Sequence, residues 1–267
     1  MIQTVRDIWW KRPIVGYFVS TLLTSSYRTK SFGFLWALLD PLLFMGVYYL
    51  VFGKILANRP PEFMLHLFIG VIAFRFLNTA STQGAGILRG QAGLIREIRF
   101  PKAALPISVV TARLFDFGAG WLVAIPLAFI FRTPPNPYWL LLPVVIVIQI
   151  LFVTGFTLLT TYVGLFFADI QNVLGVLLRL WFYMSPILYP LRLVQDKTAA
   201  RPHLLGLYML NPMTNMLESY YSLVGVMTEP HVPPVSYIAY ALAFSLGLVL
   251  AGLFVFARAE GQIGKYV

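Results

Sequence analysis

The chain has 267 residues, of which 59% are hydrophobic and 11% charged, with a mean hydropathy of +0.78. Soluble domains carry roughly 25% charged residues, so this composition excludes a soluble globular protein and points to lipid as the solvent for most of the apolar surface. Lys and Arg number 20 against 10 Asp and Glu, but the basic residues cluster between long apolar runs, which is the pattern of charges that orient membrane spans rather than of a nucleic-acid surface.

The first segment, 8–23, mixes Trp9, Trp10, Tyr17 and Phe18 with Lys11 and Arg12, and its apolar part, 14–23, is too short to cross a bilayer. It predicts an amphipathic helix lying in the interface, within a cytoplasmic stretch 1–31. A secretory signal is the rival reading; the stretch follows Pro13, carries Ser and Thr and lacks a small-residue cleavage site.

Crossing about 30 Å of hydrocarbon takes about 20 apolar residues. Runs that meet or approach this are 34–56, 63–82, 104–131, 138–167, 173–189 and 236–257. The fifth is the shortest and ends at Pro186 and Pro190. Between the last two runs, 190–235 holds two shorter apolar stretches, 204–210 and 213–226, that cannot span. With prolines at 190, 202, 212, 230, 233 and 234, they predict short re-entrant helices in an outer region. The expected fold is therefore an all-α membrane protein, one transmembrane domain over 1–267 with six transmembrane helices.

Six spans place both termini on one side, and basic residues decide which. Arg6, Lys11, Arg12, Arg28, Lys30, Arg89, Arg96, Arg99, Lys102, Arg258 and Lys265 fall on the side of the termini; Lys54, Arg59, Arg132, Arg192, Lys197 and Arg201 fall opposite. Both termini are expected in the cytoplasm.

Cysteine is absent, which removes disulfides, thiolate metal sites and thiol nucleophiles. His66, His203 and His231 are far apart and have no spaced carboxylate beside them, so no metal site is expected. No Gly-rich phosphate loop, nucleophile elbow or His-Glu-x-x-His helix is present. No catalytic residue or cofactor is assigned to the chain.

Ionisable groups inside spans are costly and suggest function by default. Asp40 precedes Pro41 in the first run and Arg75 lies in the second. Arg113 and Asp116 share a face of the third, where they either neutralise each other or serve the mechanism. Phe32, Trp36, Asp40, Phe44, Tyr48 and Phe52 recur every four residues along one ridge. The ridge reads either as ordinary packing or lipid-facing surface, or as an apolar path for a sugar, with Trp181, Phe182, Tyr183 and Tyr189 as the opposite wall. Between the second and third runs, Leu94, Ile95, Arg96, Arg99, Phe100 and Pro101 form a short amphipathic pattern with a proline stop. It suits either the membrane surface or a groove on a cytosolic partner.

Three passages together resemble the type 2 ABC transporter permeases that export lipid-linked polysaccharides of the O-antigen, capsule and teichoic acid kind. They are Tyr27-Arg28 with Ser31, Gly33, Trp36 and Pro41; Leu94-Ile95 with Phe100-Pro101 and Pro106; and Asp169-Ile170, followed by Ser185-Pro186-Ile187-Leu188-Tyr189 and Asn211-Pro212. The resemblance runs through nearly the whole chain in order. Two positions depart from it: Asp40 stands where Asn is common and Ala168 where Arg is common.

The resemblance implies a homodimer in the bacterial inner membrane, joined to two ATP-binding cassette subunits that hold the ATP and magnesium. It implies an undecaprenyl-diphosphate-linked glycan as the cargo. Phe32, Trp36, Phe44, Tyr48, Trp181, Phe182, Tyr183 and Tyr189 are then the expected channel residues. Arg12, Arg28 and Lys30 are the expected diphosphate contacts, and Leu94, Ile95, Arg96, Arg99, Phe100, Pro101 and Asp169 are expected to couple to the ATPase. Rival readings are an ion-driven lipid or glycan flippase, a membrane enzyme using a polyprenyl phosphate, and an ABC permease for small molecules or drugs.

Overall fold

The computed structural model describes residues 10–28, 32–51, 60, 62–98, 100–167 and 169–266, and among them the regular structure is helical, with no strand. In chain order the helices are α1 (Arg12–Tyr27), α2 (Leu35–Tyr48), α3 (Phe63–Gly90), α4 (Ala92–Glu97), α5 (Ala104–Ile130), a 3-10 turn (Pro137–Leu141) leading into α6 (Leu142–Phe166), α7 (Ile170–Met184), α8 (Leu191–Thr198), α9 (Pro202–Met209), α10 (Pro212–Val224) and α11 (Val235–Tyr266).

The helix α3 is the centre of the bundle. It packs against α5, α6 and α7 and meets α10 near its beginning. Its residues from Phe63 to Phe74 are buried on every side, so this stretch carries no polar face, in contrast to a helix at the edge of a soluble core. One long contact joins α6 to α11 and another joins α3 to α6. Both are close enough to need glycine: a Cβ on Gly164 would lie 2.0 Å from the Ala85 carbonyl oxygen, and one on Gly155 would lie 2.5 Å from the Val249 nitrogen. Helices in lipid gain little from the hydrophobic effect between them, so such backbone approach supplies the packing that holds them.

Among the described residues, four helical stretches are long and apolar enough to cross a membrane: Phe63–Gly90, Ala104–Ile130, Pro137–Phe166 and Val235–Gly261. They correspond to the second, third, fourth and sixth predicted runs. The first and fifth runs form shorter apolar helices, Leu35–Val51 and Ile170–Met184. At 1.5 Å per residue, α7 reaches only about 22 Å. It stops at Met184 rather than at residue 189 because Ser185 is extended, φ −102° and ψ 151°, as a residue before proline prefers. Residues 52–59, including Phe52 of the ridge, lie outside the described residues, as does the outer end of the first run.

The prolines of the 190–235 segment begin helices instead of only marking turns. Pro190 caps α8, while Pro202 and Pro212 sit in the first turns of α9 and α10, where a missing N–H costs nothing. The α10 helix is buried almost all round and ends at Gly225, whose φ of +79° is the left-handed closure that glycine accepts freely.

Candidate functional site

A cleft between α2, α3 and α7 encloses about 690 Å³. Phe44 from α2, Phe74 from α3 and Phe182 from α7 close its wall, with ring centroids 6.1 Å apart for Phe44 and Phe182 and 5.4 Å for Phe74 and Phe182. Tyr183 also lines it, and Tyr48 stacks on Phe44 at 4.7 Å. The rest of the lining includes Leu43, Val47 and Val71 beside a polar group made of Asp40, Arg75, Asn78 and Arg179. Arg75 Nη2 donates to Asp40 Oδ2 at 2.8 Å, and both side chains remain partly open to the cleft.

Of the expected channel residues, Phe44, Phe182 and Tyr183 thus meet at the cleft, with Tyr48 stacked at its edge. Phe32, in the turn ahead of α2, and Trp36, in its first turn, pack edge-to-face at 5.8 Å outside this lining. Trp181 turns away: neighbours on a helix differ by about 100° in direction, so its ring goes to Phe152 and Phe156 on α6 while Phe182 faces the cleft. Tyr189 lies beyond the end of α7, donating to the Tyr183 carbonyl and accepting from Tyr208.

The Trp181 indole N–H donates at 2.8 Å to Asn211 Oδ1, which also accepts from the Met213 N–H as the cap of α10. The Asn211 amide donates in turn to Ser185 Oγ at 3.1 Å. One side chain therefore ties the end of α7 to the start of α10, which explains the Asn211-Pro212 pair physically. A second tie was invisible in the sequence: buried Gln149 of α6 donates to the Ala73 carbonyl of α3 at 2.8 Å and accepts from the Tyr220 hydroxyl of α10 at 2.6 Å. A lone glutamine in an apolar run is its only local signal.

Arg113 and Asp116 form an ion pair at 2.8 Å. Arg113 also donates to Ser26 Oγ at 2.7 Å, and the Tyr27 hydroxyl donates to the Asp116 carboxylate. The pair therefore does more than cancel its own charge, because it fastens the last turn of α1 to α5.

Around α4, Ile95, Phe100 and Pro101 are buried, whereas Arg96 is exposed and Leu94 lies between. Phe100 meets Phe18 of α1 at 5.8 Å and lies under the Lys102 ammonium. Leu94, Ile98 and Phe100 line an apolar groove of about 270 Å³ with Pro13, Ile14, Tyr17 and Phe18. Asp169 is exposed at the start of α7, where the helix dipole favours an anion. Arg12 and Arg28 are exposed at the two ends of α1. Lys30 and Arg99 lie outside the described residues.

A further cavity, of about 420 Å³, opens where α8 and α10 meet the first turn of α3. Arg192, Asp196, Glu218, His66 and His231 line it, and Glu218 Oε1 is buried without a hydrogen-bond partner among the described residues. Burial pushes the Glu218 carboxyl up from 4.5 to about 8. The folded chain thus keeps a proton that the unfolded chain releases, so stability is full below pH 4.5 and declines as pH rises to about 8. Glu218→Gln is expected to flatten that slope, raising the melting temperature in detergent relative to the parent chain more at pH 8 than at pH 5. Equal pH slopes in the two proteins would contradict this.

The sequence matches the ABC-2 type transporter family over residues 17–224. It is 32% identical to the O-antigen export system permease protein RfbA of Myxococcus xanthus over 267 residues, the full length of both chains. Identity to the RfbA permease of Klebsiella pneumoniae is 27% over 242 residues, covering 90% of this chain and 89% of that one. The polysialic acid transport protein KpsM of Escherichia coli is 24% identical over 212 residues, with 75% and 78% covered. With four long apolar helices, two shorter ones and full-length similarity to export permeases, the chain is a multi-pass membrane permease, not an enzyme, and belongs to the ABC-2 type transporter family.

Proposed function

We propose that this chain is the membrane subunit of an ATP-driven exporter that carries a lipid-linked polysaccharide across the bacterial inner membrane. The observation that carries the reading is the aromatic cleft between α2 and α7 in a chain similar throughout its length to an O-antigen export permease. Aromatic faces offer an apolar, weakly selective surface over which successive sugars slide.

In this reading the whole of 1–267 is one permease domain. The helices α2 and α7 complete a set of six spans, both termini are cytoplasmic, α1 lies in the interface, and residues 190–235 form re-entrant outer gate helices. Two copies pair across the exposed apolar faces of α2 and α7 beside the cleft, which include Leu35, Val176 and Leu180. The path runs between the copies, walled by Phe32, Trp36, Phe44, Tyr48, Phe182, Tyr183 and Tyr189, while Trp181 braces this wall from inside the bundle. Each copy pairs with an ATP-binding cassette subunit, which presses on Leu94, Ile95, Arg96, Arg99, Phe100, Pro101 and Asp169. The packing of Phe100 on Phe18 of α1 supports that role, because a push on the α4 segment then moves α1, and the Arg113–Asp116 group passes the movement to α5. Arg12, Arg28 and Lys30 receive the undecaprenyl diphosphate at the cytoplasmic leaflet, where anions pair with interfacial cations.

Purification of a tagged chain from its native membranes, followed by native mass measurement and peptide sequencing, tests the assembly. Two copies with two ATP-binding subunits are expected. A lone chain or homodimer, under conditions that keep a known exporter intact, would favour the ion-driven flippase or the membrane enzyme. For the path, Trp36→Ala and Tyr183→Ala are each expected to lower export at unchanged assembly. Export at the parent rate by Arg28→Ala and Lys30→Ala would remove the diphosphate contacts from this reading.

A further inference from the structure

The α7 helix carries a single charge, Arg179, in an otherwise uncharged and largely apolar sequence. A cation in such a helix is expensive unless something compensates it. Among the described residues no carboxylate lies within 4 Å of Arg179, and its side chain is exposed along the cleft. Gly175, one turn earlier on the same face, has open space where a side chain would stand, so room is left beside the guanidinium. Across the cleft, Arg75 is held by Asp40, but with side chains 34% and 44% exposed the pair is not sealed. The surrounding lining of Leu43, Phe44, Val71 and Phe182 is apolar, which strengthens any charge interaction within it.

We propose that Arg179 and Arg75 form an anion station inside the cleft that takes the phosphate groups of the transported molecule, with Asp40 as the internal competitor that releases them. The proposal rests on the reading that the cargo is a polyprenyl-diphosphate-linked glycan. With Asp40 charged, the three groups sum to one excess positive charge, suited to an anion and not to a neutral sugar. Two guanidinium forks match phosphate oxygens in a bidentate way that an ammonium does not. Arg179 is the standing site, open before the ligand arrives. Arg75 joins it when phosphate displaces Asp40, and the return of Asp40 keeps Arg75 from being left bare when the ligand moves on. Asp40 is then a release group, and its removal has the opposite effect on binding from the removal of either arginine.

The test uses the permease with its ATPase partner in nanodiscs, with radiolabelled undecaprenyl diphosphate as the probe and undecaprenol and phosphatidylglycerol as competitors, alongside glycan export in cells. For the parent exporter the diphosphate is expected to bind well above the alcohol and to resist phosphatidylglycerol. Arg179→Gln and Arg75→Gln are each expected to weaken diphosphate binding by about tenfold or more, leaving undecaprenol binding unchanged, with Arg179→Lys in between. Asp40→Asn is expected to tighten diphosphate binding while slowing export.

Equal binding of alcohol and diphosphate, equal competition by phosphatidylglycerol, or parent-like binding and export in both glutamine variants overturns the station. Weakened diphosphate binding in Asp40→Asn overturns the release role. A parent exporter that binds and exports no polyprenyl-linked glycan overturns the functional reading beneath it instead.

Discussion

Gly164→Leu is expected to prevent the bundle from assembling. The Cβ position at residue 164 lies 2.0 Å from the Ala85 carbonyl oxygen and 2.9 Å from its carbonyl carbon, so the obstacle is backbone and no rotamer change relieves it. The α3 and α6 helices would have to separate along a contact that also carries the Gln149 hydrogen bond to Ala73. Overpacking ordinarily costs about 1–3 kcal/mol, occasionally more, when side chains can shift; here they cannot, and the loss belongs at or beyond the top of that range. Gly118→Ala is the matched control, because nothing lies within 4 Å of its Cβ position, and replacing a helical glycine there is expected to stabilise by about 0.5–1 kcal/mol. Size-exclusion profiles and melting of the detergent-solubilised proteins decide the matter. A monodisperse Gly164→Leu protein that melts with the parent would refute the close-contact argument.

Asp116→Ala is the second large effect. It leaves Arg113 buried, with its side chain 7% exposed, and without its counter-ion. Breaking one side of a buried pair costs about 3–5 kcal/mol, whereas exchanging both partners for apolar residues is often close to neutral. The double variant Arg113→Met with Asp116→Leu is therefore expected to melt above Asp116→Ala. Asp116→Ala loses the Tyr27 anchor but keeps the Arg113–Ser26 bond, whereas the double variant loses both, so the double variant is expected to release α1 to limited proteolysis at a protease concentration that spares the parent. A single variant that melts like the parent, or a double variant that protects α1 as well as the parent does, would show that this group is not what fastens α1.

The contrast between Arg113 and Arg75 separates two uses of the same residue pairing. The first pair is shielded, and its spare hydrogen bonds go to another helix of the chain, which is the pattern of an anchor. The second stands open to a large cleft with an uncompensated arginine nearby, which is the pattern of a site. The sequence alone set Asp116 beside Arg113 on one helix face and gave Arg75 no partner, but it did not say which arginine was an anchor and which stood in a site.

The all-helical class and the four long apolar helices were legible because each depends on local composition, and the transport family was legible as a resemblance carried by three passages in order along the chain. A run such as 138–167 leaves no low-energy alternative to a helix whose backbone satisfies itself away from water. The prolines at 190, 202 and 212 were legible as turn markers only; that they also begin α8, α9 and α10, and that Leu191–Thr198 is a helix at all, was decided by the structure. The stop of α7 at Met184 was partly legible in Pro186, although the run of apolar residues beyond it hid the true length.

Only tertiary structure decided which residues meet. Asp40 and Arg75 are 35 positions apart and Trp181 and Asn211 are 30 apart, and no periodicity within one helix encodes such a pairing. The same holds for the aromatic walls: composition supplied Trp181 and Phe182 side by side, but the crossing of α7 over α3 and α6 sent one ring into the bundle and the other into the cleft. Local physics sets which segments are helices, because their hydrogen bonds close within a few residues. The geometry of the site is set by how those helices cross, and that is fixed by backbone contacts such as Gly164 against Ala85, between residues far apart in the chain.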